Sequence, residues 1–431
     1  DQSTYTTSTT DILGNARPSP SGTSPDIGAY ESSESAADYN PHKYVATNGN
    51  NGNSGVLTDP FLTIQYAIDQ SQDDDIIHVA AGTYVENIDY SGKNISIIGE
   101  DRETTIIDGD QNGSVVIFEL EETAAAMLSG FTITNGGDVN SGGGIRCTSN
   151  SNPTLNNLIV QNNTANNGGG ISLESSNPTL SNVTISGNTA SAGRGGGLRC
   201  ISNSDPILVN VLISGNTSSQ EGGGVYNNAS DPSFVNVTIT GNLSSPTEGN
   251  GIFCMNNSNP NLVNTILWGN GPDALEFASY DGSNSITIFY SNIEGGQDSI
   301  ITNDNGTVTW APGNIDVDPV FVDTANGNYH LLASSQLINA GHPDSTDSDG
   351  TIADMGAYPY LNSYTGPSWY ITEGGNDTTG TGASDDPFRS IQAGINFSSD
   401  TDSVTVSAGT YVENINFRGR NIKVVGEDRE T

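Results

Sequence analysis

From Gly142 to Asn270 one alternation of apolar and polar positions is written five times. Each copy starts with a glycine cluster and an aliphatic residue: Gly142-Gly143-Gly144-Ile145, Gly168-Gly169-Gly170-Ile171, Gly195-Gly196-Gly197-Leu198, Gly222-Gly223-Gly224-Val225 and Gly249-Asn250-Gly251-Ile252. The steps between them are 26, 27, 27 and 27 residues. An Asn-Pro or Asp-Pro pair follows in each copy (Asn152-Pro153, Asn177-Pro178, Asp205-Pro206, Asp231-Pro232, Asn259-Pro260), then an alternating run ending at Asn163, Asn188, Asn216, Asn242 and Asn270. A fixed period in this range marks a stack of structural repeats. The apolar members alternate and are largely β-branched (Leu158 and Val160, Val183 and Ile185, Val211 and Ile213, Val237 and Ile239), which predicts strands. The prolines mark turns between them. Leucine-rich repeats share the period, but they need leucine-dense strands and usually a helical return, and helix formers are few here.

Strand residues rise ~3.3 Å each, so about 27 of them close a ring of several short strands, and successive rings stack ~4.8 Å apart. The expected fold is therefore all-β: a parallel β-helix. Its inward columns are Ile145, Ile171, Leu198, Val225, Ile252 and Leu155, Leu180, Leu208, Phe234, Leu262. Asn157, Asn182, Asn210, Asn236 and Asn264 are expected to form a ladder of amides bonded from rung to rung. Cys147, Cys200 and Cys254 share an inward column at spacings of 53 and 54 residues, two coils each. Two rungs separate them by ~9–10 Å, too far for a disulfide, so they read as small buried hydrophobes.

The Gly-Gly-Gly-Ile and Ile-Ser-Gly-Asn-Thr phrases (residues 185–189 and 213–217) resemble the right-handed parallel β-helix repeats of the pectate-lyase-like superfamily. They are closer to bacterial surface β-helices, including chlamydial polymorphic outer-membrane proteins, than to the pectinases. Such repeats specify a fold and leave activity open.

A second, longer period organises the chain. Gly409-Thr410-Tyr411-Val412-Glu413-Asn414-Ile415, continuing to Thr431, copies residues 82–104 at an offset of 327, and 24 of the 43 positions from Leu62 to Thr104 are identical in the copy. Residues 1–31 read as the tail of a preceding unit, 32–42 as a linker and 43–360 as a whole unit. That unit divides into a cap and first coils (43–104), regular coils (105–275), and closing coils with an anchor-like motif (276–360). Residues 361–368 are a second linker, and 369–431 open the next unit. At about 27 residues per coil a unit should hold about 11 or 12 coils. Ile64, Ala67 and Ile68 fit a short helix capped by Asp59 or Thr63, placed to cover the open end of the first coil. The closing phrases (Phe321, Tyr329-His330-Leu331, Ile338-Asn339-Ala340-Gly341, Asp354-Met355-Gly356-Ala357-Tyr358, with Leu13 to Pro18 and Asp26 to Glu31) are similar to the choice-of-anchor Q domain of secreted bacterial β-helix proteins. That resemblance implies export and residence outside the cell or on its surface. The family pattern usually ends in Glu, where the internal copy has Pro359.

Charge narrows the partners. With 12 Lys and Arg against 50 Asp and Glu the net charge is -38, which opposes nucleic acid, anionic membranes and polyanionic substrates. There is no 18-residue apolar run to span a membrane. A chain starting at Asp1 without a signal-peptide core reads as mature or excised.

Two candidate sites stand out. Arg146, Ser172, Arg199, Tyr226 and Phe253 should line one outward column, where Arg146, Arg199, Tyr226 and Phe253 could grip a glycan. No Asp pair or His beside them completes an acid–base set, and His42, His78, His330 and His342 lack ligand spacing. Asp344, Asp347 and Asp349 alternate before Gly350 and are followed by Asp354, an oxygen-rich pattern suited to calcium, though the terminal Glu of an EF-hand is missing. A solvated acidic turn is the plain alternative. The expected role is a non-enzymatic extracellular structural protein whose tandem units form a stalk, adhesin or filament, with copies of itself as partners. A unit repeated this closely serves length and valency. The rival is a glycan-binding or polysaccharide-cleaving β-helix.

Overall fold

The computed structural model describes residues 39–245, 248–280 and 282–428. The expected tail 1–31 and most of the first linker lie outside them. Parallel strands wind into a β-helix. Its longest sheet follows a path of eleven strands from His42–Val45 to Gly306–Trp310, and the facing sheet has eight, from Ile88–Asp89 to Leu275–Phe277. A third wall of four two-residue strands runs from Thr164–Ala165 to Leu243–Ser244.

Both inward columns stack as the period requires. Ile145 pairs with Ile171, then Leu198, Val225 and Ile252 follow in register. Leu155, Leu180, Leu208, Phe234 and Leu262 do the same on the opposite wall. All ten are fully buried. The three cysteines are free and buried, with Leu173 and Asn227 on the rungs between them.

Polar ladders hold the corners. Asn182, Asn210, Asn236 and Asn264 bond side chain to side chain at 2.9–3.3 Å. Each has φ of 50–55°, a left-handed corner that asparagine tolerates better than most residues. A second ladder lies inside. Asn163, Asn188, Asn216, Asn242 and Asn270 are fully buried, and each of the first four donates its side-chain Nδ2 to the Oδ1 of the next at 2.9–3.0 Å. Serines form a third column, in which the amides of Ser176, Ser204 and Ser230 donate to the hydroxyls of Ser204, Ser230 and Ser258.

The expected cap is present as α1 (Ile64–Asp69), with Thr63 as its N-cap and Ile64, Ala67 and Ile68 buried. The Glu86 carboxylate accepts from the amides of Ile64 and Gln65 at 2.9 Å each, satisfying helix-end donors. The device recurs in α2 (Ile391–Phe397), where Ser390 is the N-cap and Glu413 accepts from Ile391 and Gln392. Lys93 donates to Ile68 O and Asp69 O, and Arg420 does the same to Ile395 O and Asn396 O.

The coil count departs from expectation. Coils with a strand on both facing walls number eight, not eleven or twelve. The first rung of the long sheet and its last two lack a facing strand, and the residues after them fold back along the outside. Phe321–Asp323 and Asn328–Leu331 form an antiparallel pair. Leu331, Leu337, Ile338 and Met355 then pack over Ile266 with Trp268 and Tyr290 beside them. The return continues toward earlier rungs: Gly356 N donates to Asn264 O at 2.7 Å, Ala357 N to Thr238 Oγ1 at 3.0 Å, and Tyr358 Oη lies 3.1 Å from Thr184 Oγ1.

Candidate functional site

The outward column exists, and its aromatic half is covered. Arg146, Ser172, Arg199, Tyr226 and Phe253 lie in register on consecutive rungs. Tyr226 and Phe253 are 1% exposed and stack with ring centres 6.0 Å apart. Met255 and Ala278 complete their cluster. Arg194, held by Glu221 at 2.6 Å, lays its guanidinium 5.4 Å from the Tyr226 ring centre. Arg146 is paired with Glu119 at 2.6 Å, and Arg199 donates to Ser141 and Ser172 Oγ at 3.3 and 3.4 Å. Of the four side chains expected to grip a sugar, Tyr226 and Phe253 offer no ring face to solvent.

In the acidic loop most of the carboxylates have main-chain partners. Asp344 is exposed, and the other carboxylates turn onto main-chain amides. Asp347 Oδ2 accepts from Asp354 N at 2.9 Å; Asp349 accepts from Thr351 N and Asn362 N; Asp354 accepts from Asn339 N and Tyr360 N, both at 2.7 Å. Among the described residues no three His, Cys, Asp or Glu side chains assemble a metal site. These carboxylates fasten the closing segment.

That fastening is pH-dependent. Burial, opposed by the Asn339 amide and reinforced by the nearby Asp347 charge, pushes Asp354 up to about 8. Burial pushes Asp347 up to about 6. Both values lie above the ~3.9 of an unfolded Asp. The folded segment therefore binds the extra protons, and their stabilisation is full below about pH 4 and lost as pH rises through 6 and 8. Hydrogen exchange at the Asn339 and Tyr360 amides, corrected for intrinsic rate, should show opening increasing by up to about a hundredfold per pH unit between about 4 and 6, where both groups differ in protonation, and up to about tenfold between about 6 and 8, where Asp354 alone does. A flat profile would remove Asp354 as the titrating group.

A cleft of about 710 Å³ opens at the first rungs, lined by Tyr44, Leu57, Asp59, His78 and Glu100 among others. Its carboxylates already serve main-chain amides, Asp59 that of Ser54 and Glu100 that of Ala81. His78 is stacked between His42 and Tyr44.

A network of hydrogen bonds joins residues 333–362 to the second unit. Asn396, fully buried on α2, donates to Ala333 O and Ser335 O at 2.9 and 2.7 Å. Arg418 donates to Ile338 O at 2.6 Å and Asn339 O at 3.3 Å. Burial, then the Arg420 charge, brings its guanidinium down to about 10, so it remains a cation at neutral pH. Ala333 N donates to Asp377 O, Tyr360 Oη to Gly380 O and Asn362 Nδ2 to Thr381 O. Phe397 packs against Tyr360 at 5.4 Å between ring centres. The expected linker 361–368 is built into this joint, with Asn362 6% exposed and Tyr364 packed against the second unit's core. Sequence reading missed these residues. The signal lay in where the two copies differ: Asn396, Phe397 and Arg418 stand where the first copy has Asp69, Gln70 and Ser91.

Residues 115–315 match the family model described as a right handed beta helix region, and the regular coils are a right-handed parallel β-helix. Among solved structures the chain is similar to pectate lyase Pel9A at 16% identity, over 74% of this chain and 96% of that one, with a TM-score of 0.49. It is also similar to a pectin methylesterase from carrot at 18% identity, over 62% and 76%, with a TM-score of 0.34. No curated protein matches.

Proposed function

We propose that this chain is a run of tandem β-helix units with a structural, non-enzymatic role outside the cell or on its surface, as a stalk, adhesin or filament. The joint carries the reading. A flexible string of independent units needs a solvated linker, whereas here two side chains from the second unit reach four main-chain carbonyls of the first. Interfaces between domains of one chain default to relative motion unless they are large and apolar. Here Phe397 packs against Tyr360 of the first unit and Trp369 and Phe388 of the second beside the buried hydrogen bonds, which favours transmitted stiffness. The eleven strands of the longest sheet, ~4.8 Å apart, stack over about 50 Å in the complete unit.

The test is a distance. Spin labels at Glu174→Cys and Ser399→Cys, both exposed positions on different units, should give one narrow distance distribution in the full chain. A broad distribution would defeat the rod and leave a plain chain of adhesive modules. Release of unsaturated sugars from a panel of polysaccharides would overturn the non-enzymatic part.

A further inference from the structure

We propose that the closing segment 333–341 selects the head it binds, accepting the α2 face and rejecting the α1 face. The proposal rests on the tandem-rod reading and names the partner its joint admits.

The two heads are built alike. Gln65 Nε2 donates to Asp69 Oδ1, and Gln392 Nε2 donates to Asn396 Oδ1, at 3.0 and 2.9 Å. Asp89 N and Asn416 N donate back to those glutamines at 2.7 Å each. The helix caps and the cation over the helix end coincide as well. What differs is the chemistry presented outward. The closing segment presents α2 chiefly with acceptors, the carbonyls of Ala333, Ser335, Ile338 and Asn339, and its one donor, Asn339 Nδ2, reaches a main-chain carbonyl, Asn396 O, at 3.4 Å. Asn396 and Arg418 answer with donors.

At the same places the first head has Asp69, an acceptor with a negative charge, and Ser91, too short to reach. A carboxylate facing two carbonyl oxygens is repelled and loses its water without a replacement bond. Gln70 replaces the Phe397 ring that packs on Tyr360. Asp69 and Gln70 are exposed, whereas Asn396 is fully buried. Discrimination therefore comes both from bonds made to one head and from repulsion built against the other. A head-to-tail contact of this kind sets which head a closing segment takes, within a chain or between molecules.

Sedimentation of three full-length chains tests this. The wild type should stay monomeric. N396D/R418S should free the closing segment and still stay monomeric, because the α1 face refuses it. Adding D69N, Q70F and S91R to that variant should convert α1 into an acceptable head and produce concentration-dependent association. The last comparison holds even if the second head unfolds in N396D/R418S, since the closing segment is freed either way. Association of N396D/R418S by itself, or identical monomeric behaviour of it and the five-fold variant, overturns the proposal. In the spin-label experiment a broad wild-type distribution strikes the rod reading instead, so the two failures are told apart.

Discussion

Asn216→Ala should cost about 4 kcal/mol, more than most single substitutions, although it removes no apolar contact. Asn216 is fully buried at the middle of the inner ladder. Its Oδ1 accepts from both the amide and the Nδ2 of Asn188 at 3.0 Å, and its Nδ2 donates to Ile185 O and Asn242 Oδ1 at 2.9 Å. Alanine leaves the Asn188 amide, one Asn188 Nδ2 hydrogen and Ile185 O without their partners inside the stack, where each orphaned group costs about 1–3 kcal/mol. Asn210→Ala is the control. Asn210 sits at φ 55° in the outer ladder, half-buried, and its loss forfeits a left-handed preference of roughly 1 kcal/mol with water available to replace its bonds. The urea midpoint should fall several times further for Asn216→Ala than for Asn210→Ala at unchanged slope. Equal shifts would mean that the inner ladder contributes no more than a surface corner.

The contrast between those ladders also shows how far the sequence could be read. Asn157 and Asn163 recur at the same period, six residues apart, so periodicity cannot say which corner turns inward. Only ring closure decides it, and that is a tertiary fact. The apolar columns were legible because alternation and period together place Ile145 over Ile171 without further information. The capping helix was legible for a similar reason, since Thr63 and the spacing of Ile64, Ala67 and Ile68 are local.

What escaped depends on segments far apart in the chain. Tyr329-His330-Leu331 alternates as a rung would, yet it pairs antiparallel with Phe321–Asp323 and lies outside the coils. The alternation placed Tyr226 and Phe253 on the outer face correctly, and Arg194 from the preceding corner then covers it. Asp344, Asp347, Asp349 and Asp354 have the spacing of a cation loop, but the amides of Asn339, Tyr360 and Asn362 claim the oxygens instead. In each case spacing specified which side chains were available, and contacts distant in sequence determined what they bind. The joint is the sharpest instance, because the duplication that revealed a second head concealed the three substitutions that dock it.

The glycine corners predict the other large effect, and their three environments separate its causes. A Cβ at Gly196 would lie 2.4 Å from both Gly223 O and Thr217 O, closer than real side chains approach. Neither oxygen can retreat cheaply, because the rungs are bonded there: Gly196 N donates to Gly222 O and Gly197 N to Gly223 O, both at 3.1 Å. Gly196→Ala must pry two coils apart, so it should cost about 3 kcal/mol or more, the upper range for overpacking. Gly215 isolates the conformational component, with φ 62° and nothing within 4 Å of an added Cβ, and Gly215→Ala should cost about 1 kcal/mol. Gly195 combines both, at φ 70° with the Arg199 Cβ and Leu198 O each 2.9 Å away, and should fall between them, since those contacts are looser than the two at 2.4 Å that a Cβ at Gly196 would make. Urea midpoints should therefore decrease in the order Gly215→Ala, Gly195→Ala, Gly196→Ala. Were Gly215→Ala the most damaging of the three, left-handed geometry rather than the close stacking of rungs would be what the triple-glycine corners supply.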